Sequence, residues 1–300
     1  MFGVTILGNN SALPAYNRHP SAQVITLSDH LFLVDCGEGT QMQMNHYKIR
    51  RSRINHIFIS HLHGDHYFGL PGLLTSLGLM SRQQDLHLYG PSALKEIIDM
   101  VLNVGSTILP YKLHFHALEE TSMLVDDEHF SVESFPVFHR IDCWGFLFRE
   151  KRKPRKINPE ATTQYNVPVE FFERLKQGED FIQDGYVIPN EILAIANKPS
   201  KSYAYAADTL FNESLAETVK HVDLLYHEAT YLKDKLDKAI SRFHSTGEQA
   251  AMLAKKAEVK KLLIGHFSST YETLDEFLAE AKEIFPDTQL ALEGQTFMIV

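Results

Sequence analysis

The sequence has little of several features that would place it in a special class of protein. Its 300 residues include only two cysteines, Cys36 and Cys143, too few for a disulfide framework. No run of about 18 apolar residues predicts a membrane span. The first residues, Met1 to Gly8, read as a strand and have no basic segment typical of a secretion signal. We therefore expect a cytoplasmic protein without a membrane segment.

Basic residues are fewer than acidic ones, and the formal net charge is −9. This balance argues mildly against a protein that binds nucleic acid through its overall charge. Net charge is an average, however, and a local basic patch can still bind an anionic partner.

Histidine, by contrast, is abundant, with 16 residues. The stretch Ser60-His61-Leu62-His63-Gly64-Asp65-His66 follows an apolar run of strand length at 54–59. It precedes a segment, 66–82, that predicts a helix. Neutral imidazole and carboxylate groups suit zinc, manganese or iron(II). The pattern therefore predicts a metal-binding turn in which His61 and His63 point to one side and Asp65 and His66 to the other.

Four later apolar runs also end in groups of this kind. They are followed or terminated by His139, Asp208, His227-Glu228 and His266. Each has another reading when taken singly: a surface histidine, a capping aspartate or a histidine that begins a helix. Ligands of open α/β sheets lie at the C-terminal ends of strands, so we expect the four endings to join the first cluster. Asp35, after another strand, either orients a bound histidine or is a simple turn residue.

The segment 149–201 differs from the rest of the chain. It begins with basic residues broken by Pro154, has few apolar residues, and lies between two strands that each end in a candidate ligand. A short helix is predicted within 167–178. The segment reads as a projecting insertion that contacts a phosphate backbone, or alternatively as a solvated excursion of the surface.

His244 stands just before a predicted helix at 247–257. Ser245 or Thr246 is the expected N-cap, and Glu248 or Gln249 would complete a capping box. The position at a helix entry explains His244 by itself, and a catalytic role is the alternative.

The pattern His-x-His-x-Asp-His resembles the signature of the metallo-β-lactamase superfamily. Over nearly all 300 residues the chain is similar to its ribonuclease Z family. The more specific marks are Asp35-Cys36-Gly37-Glu38-Gly39-Thr40-Gln41, His227-Glu228-Ala229-Thr230, His244-Ser245-Thr246 and the insertion between His139 and Asp208. The resemblance implies an α/β fold, a four-layer αβ/βα sandwich over 1–300 as a single domain. The insertion at 149–201 would be a flexible arm that grips transfer RNA (tRNA).

The resemblance also implies a function. The chain would be a zinc-dependent endoribonuclease that removes 3′ trailers from tRNA precursors, leaving a 3′-hydroxyl on the tRNA and a 5′-phosphate on the trailer. His61, His63 and His139 would hold one zinc, and Asp65, His66 and His266 a second, with Asp208 bridging them. Two such ions per subunit clamp a phosphate for in-line displacement, and Mn²⁺ or another divalent metal is an alternative.

Three residues receive catalytic roles from the same resemblance. Asp65 would accept the proton of the attacking water, and His244, oriented by Glu228, would protonate the leaving oxygen. The arm would contact tRNA through Lys151, Arg152, Lys153, Arg155, Lys156, Lys176 and Gly178. It would serve the active site of the other subunit of a homodimer. One departure is that bacterial arms of the family often carry a Gly-Pro step before the Leu-Lys-x-Gly stretch, and this arm does not.

Other functions fit parts of the pattern. A hydrolase of small esters, sulfates or phosphodiesters on the same scaffold would need the ligands but no basic arm. A diiron redox protein would usually have an acidic residue in place of one ligand histidine. A non-catalytic RNA-binding module with structural zinc would give His244 and Glu228 no role. We assign no chemistry to His19, His30, His46, His56, His87, His114, His116, His129 and His221.

Overall fold

A computed structural model describes residues 1–151, 153–197 and 199–300. The chain divides into two compact units. The first consists of Met1–Asp126, Phe130–Arg149 and Lys201–Val300, and the second of Asp127–His129 and Glu150–Ser200. All the candidate metal ligands belong to the first unit, and the candidate arm residues belong to the second.

Within the described residues, the first unit contains two seven-stranded sheets. The first sheet has the strand order β20-β1-β3-β4-β5-β6-β7. Its strands are β1 (Phe2–Gly8), β3 (Ala22–Leu27), β4 (His30–Val34), β5 (Ile54–Phe58), β6 (Leu86–Pro91), β7 (Leu113–Leu118) and β20 (Thr296–Met298). Strands β4 to β7 are parallel, so their C-terminal ends meet at one edge of the sheet.

The second sheet has the strand order β19-β17-β16-β15-β10-β9-β8. Its strands are β8 (Met123–Asp126), β9 (Phe130–Val137), β10 (Cys143–Glu150), β15 (Ser202–Ala206), β16 (Leu224–Glu228), β17 (Leu262–Gly265) and β19 (Thr288–Leu290). Strands β15, β16, β17 and β19 are parallel. A two-stranded pairing joins β2 (Asn10–Ser11) to β18 (Phe267–Ser268).

Helices flank the two sheets. They are α1 (Thr40–His46), α2 (Gly64–Tyr67), α3 (Leu70–Leu79), α4 (Ala93–Val104), α8 (Leu215–Thr218), α9 (Leu236–Arg242), α10 (Gly247–Lys256) and α11 (Asp275–Ile284). Short 3₁₀ turns occupy Arg51–Arg53 and Lys233–Lys235.

Apolar side chains form three layers of contact in the first unit. Phe32 and Phe58 of the first sheet pack with Phe146 and Phe148 of the second in one buried cluster. A second cluster joins the first sheet to α3 and α4, and a third joins the second sheet to α8, α10 and α11. This helix–sheet–sheet–helix order confirms the predicted four-layer α/β sandwich.

The predicted helix at 66–82 is in fact two helices, α2 and α3. Gly69 separates them, and a Cβ atom there would lie 2.2 Å from the carbonyl oxygen of Gly37. The chain therefore passes close to the Cys36-Gly37 turn, and the N–H of Gly69 donates to the carbonyl oxygen of Cys36 (2.9 Å) instead of continuing the hydrogen bonds of the helix. Ser92 precedes α4 but does not cap it with its side chain, and its hydroxyl donates to Glu119 instead (3.2 Å).

The second unit forms a small core of its own, although the sequence suggested few apolar residues. The buried side chains are those of Ala161, Val167, Leu175, Ile188, Leu193 and Ala194. Its elements are β11 (Lys156–Ile157), α5 (Pro159–Gln164), a 3₁₀ turn (Val169–Phe171), α6 (Phe172–Lys176), β12 (Phe181–Gln183), β13 (Tyr186–Ile188), α7 (Asn190–Leu193) and β14 (Ala194–Ile195). The hairpin β12–β13 turns at Asp184 and Gly185, whose positive φ angles suit a tight two-residue turn.

Across the described ranges, no helix is both long and apolar enough to cross a membrane.

Candidate metal centre and active site

The metal-binding turn follows β5 directly. His61 is fully buried after the strand, and His63 is the N-cap of the short helix α2. Asp65 and His66 lie in the single turn of this helix, whereas His61 and His63 precede it. The two pairs of side chains therefore leave the backbone at different points. Local backbone geometry thus separates the four groups into two pairs.

Three residues of the second sheet approach these groups. His139 follows β9, Asp208 follows β15 and His266 follows β17. Asp208 and His266 are only 2% exposed. Because both sheets end at this edge, side chains far apart in the sequence come within a few ångströms.

The first group of converging atoms comes from His61, His63, His139 and Asp208. The Nδ1 atom of His63 lies 3.0 Å from Nε2 of His61 and 3.1 Å from Nε2 of His139. An oxygen of Asp208 lies 3.5 Å from Nε2 of His61.

The second group comes from Asp65, His66 and His266. Nε2 of His66 lies 3.3 Å from Nε2 of His266. The Oδ1 atom of Asp208 lies 3.4 Å from the first of these nitrogens and 3.2 Å from the second. Asp208 therefore stands between the two groups, with one oxygen toward each.

Hydrogen bonds behind the rings define which nitrogens carry protons. Nδ1 of His66 donates to the Asp35 carboxylate (2.7 Å). The Ser60 hydroxyl donates to the same carboxylate (2.9 Å) and so accepts from Nδ1 of His61 (3.0 Å). In the neutral form of each ring, Nε2 then carries the lone pair, which faces the centre.

The same reasoning applies on the second sheet. Nδ1 of His139 donates to the carbonyl oxygen of Phe243 (2.8 Å). The Thr230 hydroxyl donates to Glu228 (2.6 Å) and therefore accepts from Nδ1 of His266 (2.9 Å). In the neutral forms of His139 and His266, the lone pair of Nε2 therefore also faces the centre.

This arrangement fits bound cations. Lone pairs at about 3 Å repel each other, and a divalent cation between them removes the repulsion. One oxygen of Asp208, although buried, has no hydrogen-bond partner among the described residues. Imidazole and carboxylate donors are those that zinc and similar ions prefer.

The charges around the centre also favour a bound cation. Burial lowers the pKa of His66, but Asp208, Asp35 and Asp65 outweigh it and raise that pKa well above the usual value. Burial raises the pKa of Asp65, yet His66 and His266 hold it well below its usual range. Three carboxylates around one buried ring create a negative potential that attracts cations.

His244 and Glu228 form a buried pair beside the centre. Nδ1 of His244 lies 2.8 Å from the Glu228 carboxylate, which also accepts from the backbone N–H groups of Thr209 (2.9 Å) and Thr230 (3.1 Å). Burial lowers the pKa of His244, but Glu228 outweighs it through its charge and hydrogen bond and raises that pKa to about 9. Thr246 caps α10 in a capping box with Gln249, which holds the preceding His244 in place.

A cavity of about 410 Å³ opens onto the centre. Its wall includes His63, Asp65, Asp208 and His244, so a ligand in it would touch both groups of ligands and the His244–Glu228 pair. Exposed aromatic surface is present at its rim, because Phe68 is 64% exposed.

The structure thus brings together the seven candidate ligands and the two further candidate catalytic residues. In the second unit, the backbone N–H of Arg155 donates to the carbonyl oxygen of Lys176 (2.9 Å). A Cβ on Gly178 would contact the side chain of Arg155. Lys176 also forms an ion pair with Glu173. Lys151, Lys153 and Lys156 lie at the start of the unit, and the candidate Arg152 lies outside the described residues.

The groups that orient the rings have no signal in the sequence. Ser60 and Thr230 stand inside motifs and Tyr205 inside an apolar strand, and the hydroxyl of Tyr205 donates to Asp35 (2.6 Å). Their hydrogen bonds join distant strands, so no local pattern reveals them. Asp35, one reading of which was to orient a histidine, does contact His66.

Comparison with known proteins first defines the class. The chain superposes on the metallo-β-lactamase fold protein YhfI from Bacillus subtilis with a TM-score of 0.70 at 19% identity, covering 99% of this chain and 98% of that one. The sequence profile of the family described as anti-Pycsar protein Apyc1 matches residues 2–141. The fold is that of the metallo-β-lactamases.

Closer relatives define the family. The chain is 44% identical to ribonuclease Z of Parabacteroides distasonis over 301 residues, covering 99% of each. It is 44% identical to ribonuclease Z of Bacteroides thetaiotaomicron, covering 99% of this chain and 95% of that protein. The crystal structure of the short form of human tRNase Z superposes with a TM-score of 0.72 at 28% identity, covering 99% of both chains. The chain belongs to the ribonuclease Z family.

Proposed function

We propose that the protein is a zinc-dependent endoribonuclease that removes 3′ trailers from tRNA precursors, leaving a 3′-hydroxyl on the tRNA and a 5′-phosphate on the trailer. Full-length similarity to ribonuclease Z proteins supports this substrate. The structural observation that carries the proposal is the His244–Glu228 pair beside two groups of converging metal donors.

The donors divide into two sites. His61, His63 and His139 would hold one zinc, Asp65, His66 and His266 the other, and Asp208 would bridge them. When bound, two such ions supply Lewis acidity and generate a nucleophile from water at neutral pH. Four of the histidines turn Nε2 inward because their Nδ1 atoms are held from behind. Asp35 holds His66, Ser60 holds His61, the carbonyl of Phe243 holds His139 and Thr230 holds His266.

Asp65 is placed to accept a proton from the attacking water. Its Oδ2 atom accepts the backbone N–H of Ala12 (2.7 Å) and lies 3.3 Å from Nε2 of His266. It also lines the cavity. Although burial raises its pKa, His66 and His266 hold that pKa below the usual range, so this carboxylate carries no proton at neutral pH.

His244 is placed to protonate the leaving 3′ oxygen. Its Nδ1 is bound to Glu228, so its Nε2 is the ring nitrogen available to the cavity that it lines. An alkoxide leaving group needs such a proton, and a positioned acid contributes typically 10²–10⁴-fold. Glu228 keeps the ring oriented and is buried with all its hydrogen bonds inside the protein.

The test is cleavage of a tRNA precursor that carries a 3′ trailer, mapped to the nucleotide, with and without a chelator. A single metal-dependent cut next to the discriminator base that leaves a 3′-hydroxyl is the expected result. Hydrolysis of a small ester, sulfate or phosphodiester without any cut in the precursor would instead assign the protein to the small-substrate hydrolases of this fold. Metal analysis of the same preparation is expected to find two zinc ions per chain.

We propose further that the segment 149–201 is a tRNA-binding arm within a single domain of 1–300. Basic residues gather at its start, where Lys153 is exposed, and they suit a phosphate backbone. Replacing Lys153, Arg155 and Lys156 by alanine is expected to reduce cleavage of the precursor and to spare hydrolysis of bis-p-nitrophenyl phosphate. Loss of both activities together would show that the segment is needed for folding rather than for tRNA.

A homodimer is proposed as well. Exposed apolar side chains gather where α3 and α4 end: Leu79, Met80, Val101, Val104 and Ile108. The end of α3 lies beside the loop that follows α4, since a Cβ on Gly78 would lie 3.1 Å from the side chain of Pro110. An apolar patch of this kind marks an interaction surface. Sedimentation of the protein and of a Val104→Glu, Ile108→Glu variant tests whether this patch holds two subunits together.

The proposed location is the cytoplasm, where tRNA precursors are processed. Cys36 and Cys143 are free and buried, which suits a reducing compartment. Burial raises the pKa of the Cys36 thiol to about 12, so this thiol is inert.

A further inference from the structure

Most of the charged side chains that line the cavity at the metal centre are acidic. Glu38, Asp65 and Asp208 contribute carboxylates to its wall. Of the described residues that line it, Arg140 is the one with a permanent positive charge. A substrate with several phosphates needs positive charge beyond the point of reaction, and Arg140 is the side chain placed to supply it.

The guanidinium of Arg140 lies on the outer side of the His63 ring. Its Nη2 atom is 3.4 Å from Nε2 of His63, whereas Nδ1 of the same ring faces His61 and His139. The width of the imidazole therefore separates the guanidinium from the converging nitrogens. Arg140 is too far out to share the group bound at the centre, and it stands beside the path that leads away from it.

Among the described residues, no group neutralises this guanidinium. In the part of the chain that the structure describes, no carboxylate lies within 4.0 Å of Arg140, and its one polar contact is with His63. When Nδ1 of His63 is engaged by a cation, its Nε2 carries the ring proton. Two N–H donors then face each other and cannot bond. The guanidinium is thus left with its donors free and exposed in the cavity.

We propose that Arg140 binds the phosphate next to the scissile one and thereby selects polynucleotides over isolated phosphodiesters. This inference rests on the proposed function. A planar guanidinium with free donors matches two phosphate oxygens at once. The role is one of positioning and specificity, because Arg140 does not touch the reacting phosphate.

The test compares Arg140→Gln and Arg140→Lys with Lys112→Gln. Lys112 is an exposed residue that precedes β7, so it loses the same charge at the opposite end of the first sheet. Two substrates are used: a tRNA precursor with a 3′ trailer, and bis-p-nitrophenyl phosphate, which has no neighbouring phosphate. Binding of the precursor is measured in parallel over a range of salt concentrations with metal-loaded protein, in which every variant also carries His244→Ala to slow cleavage. Metal content is measured for every variant.

For Arg140→Gln we expect kcat/KM on the precursor to fall about 10- to 100-fold, the usual loss for a hydrogen bond to a charged group. Hydrolysis of bis-p-nitrophenyl phosphate and the metal content should not change. The slope of log Kd against log salt should decrease by about one. Arg140→Lys should restore the slope and part of the affinity, and Lys112→Gln should match the wild type.

Three outcomes would overturn the inference. An equal loss on both substrates would place Arg140 at the reacting phosphate, and a fall in metal content would make it a support of the metal site. Unchanged kcat/KM and salt slope would show that it contacts no phosphate. If the wild-type protein itself fails to cut the precursor, the proposed function fails and this role fails with it, which distinguishes that result from the other three.

Discussion

The first sheet carries histidines in two places, and only one of them is built for metal. At the C-terminal end of β5, His61 and His66 turn lone pairs inward because Ser60 and Asp35 hold their other nitrogens. Nearer the starts of the strands, four histidines form a second group, here called the histidine column: His56, His87, His114 and His116.

Rings in the histidine column stack rather than converge. His56 and His87 are parallel with centroids 5.0 Å apart, and His87 and His114 are parallel at 4.8 Å. They occupy neighbouring register positions on β5, β6 and β7. Nδ1 of His87 meets Nε2 of His116 at 3.0 Å, which is one shared hydrogen bond. Within the described residues, no three donor atoms converge there.

The number of histidines in a region does not by itself define a metal site. A site requires lone pairs aimed at one point, and the aim comes from hydrogen bonds behind the rings. The metal centre has three carboxylates close to its rings, whereas the histidine column has Asp85, which contacts His114 alone (2.7 Å). Substitutions at the metal centre and in the histidine column test this difference between the two groups of histidines.

Asp208→Ala removes the carboxylate that stands between the two ligand groups. We expect cleavage of a tRNA precursor to fall on the order of a thousandfold or more, since Lewis acid catalysis is worth several kcal/mol. Metal analysis should show loss of bound metal. As the matched change in the histidine column, Asp85→Ala should leave both metal content and cleavage intact, and a loss of metal there would contradict the distinction.

His244→Ala removes a histidine of the active site that is not assigned as a ligand. Cleavage of the precursor should fall by about 10²–10⁴-fold, the range for a positioned general acid, while bound zinc stays near two per chain. A substrate with a p-nitrophenolate leaving group should lose less activity, because that group leaves without a proton. Loss of zinc in this variant would instead move His244 into the ligand set.

Asp35→Asn keeps the size of the side chain that holds Nδ1 of His66 but weakens its hold on the ring. Metal affinity should fall about 10- to 100-fold, as is typical for groups behind the ligands. A competition titration with a chelator measures the change. Unaltered affinity would mean that packing alone orients His66.

His56→Phe should have the smallest effect, and on stability rather than on cleavage. Burial, followed by the neighbouring His87, His30 and His116, lowers the pKa of His56 to about 4, and Asp85 is the nearby acid of the histidine column. Between pH 6.5 and pH 4 the unfolded chain binds a proton there and the folded chain does not. The wild type therefore loses stability as the pH falls through this range.

The measurement is the free energy of unfolding from denaturant titrations at pH 7.5 and pH 5.5. The difference between the two pH values should be smaller in His56→Phe than in the wild type. His46→Phe, at the exposed end of α1, is the control and should keep the full difference. An equal difference in the free energy of unfolding in all three proteins would show that His56 does not make the folded protein less stable in acid.

The candidate ligands could be selected from the sequence because their signals are local. The spacing of His61 to His66 and the endings of four strands lie within short windows, and the parallel sheets bring those endings together. Thr246, one of the two expected N-caps, caps α10. The two-helix form of 66–82 could not be predicted, because it depends on a hydrogen bond from Gly69 to the distant residue Cys36.

The parts that escaped prediction depend on tertiary contacts. The Tyr205 hydroxyl reaches Asp35 from the other sheet, and Thr230 joins two motifs through one oxygen. Arg140 follows a candidate ligand in the sequence, which was a signal, but only the structure shows that its guanidinium has no acidic partner among the described residues. The second unit likewise formed a core from residues that looked too few.

The single hydroxyl of Thr230 has an evolutionary consequence. It accepts from the ring of His266 and donates to Glu228, which holds His244. A substitution of Thr230 would therefore alter the settings of His266 and His244 at the same time, so the two positions are expected to change together in evolution.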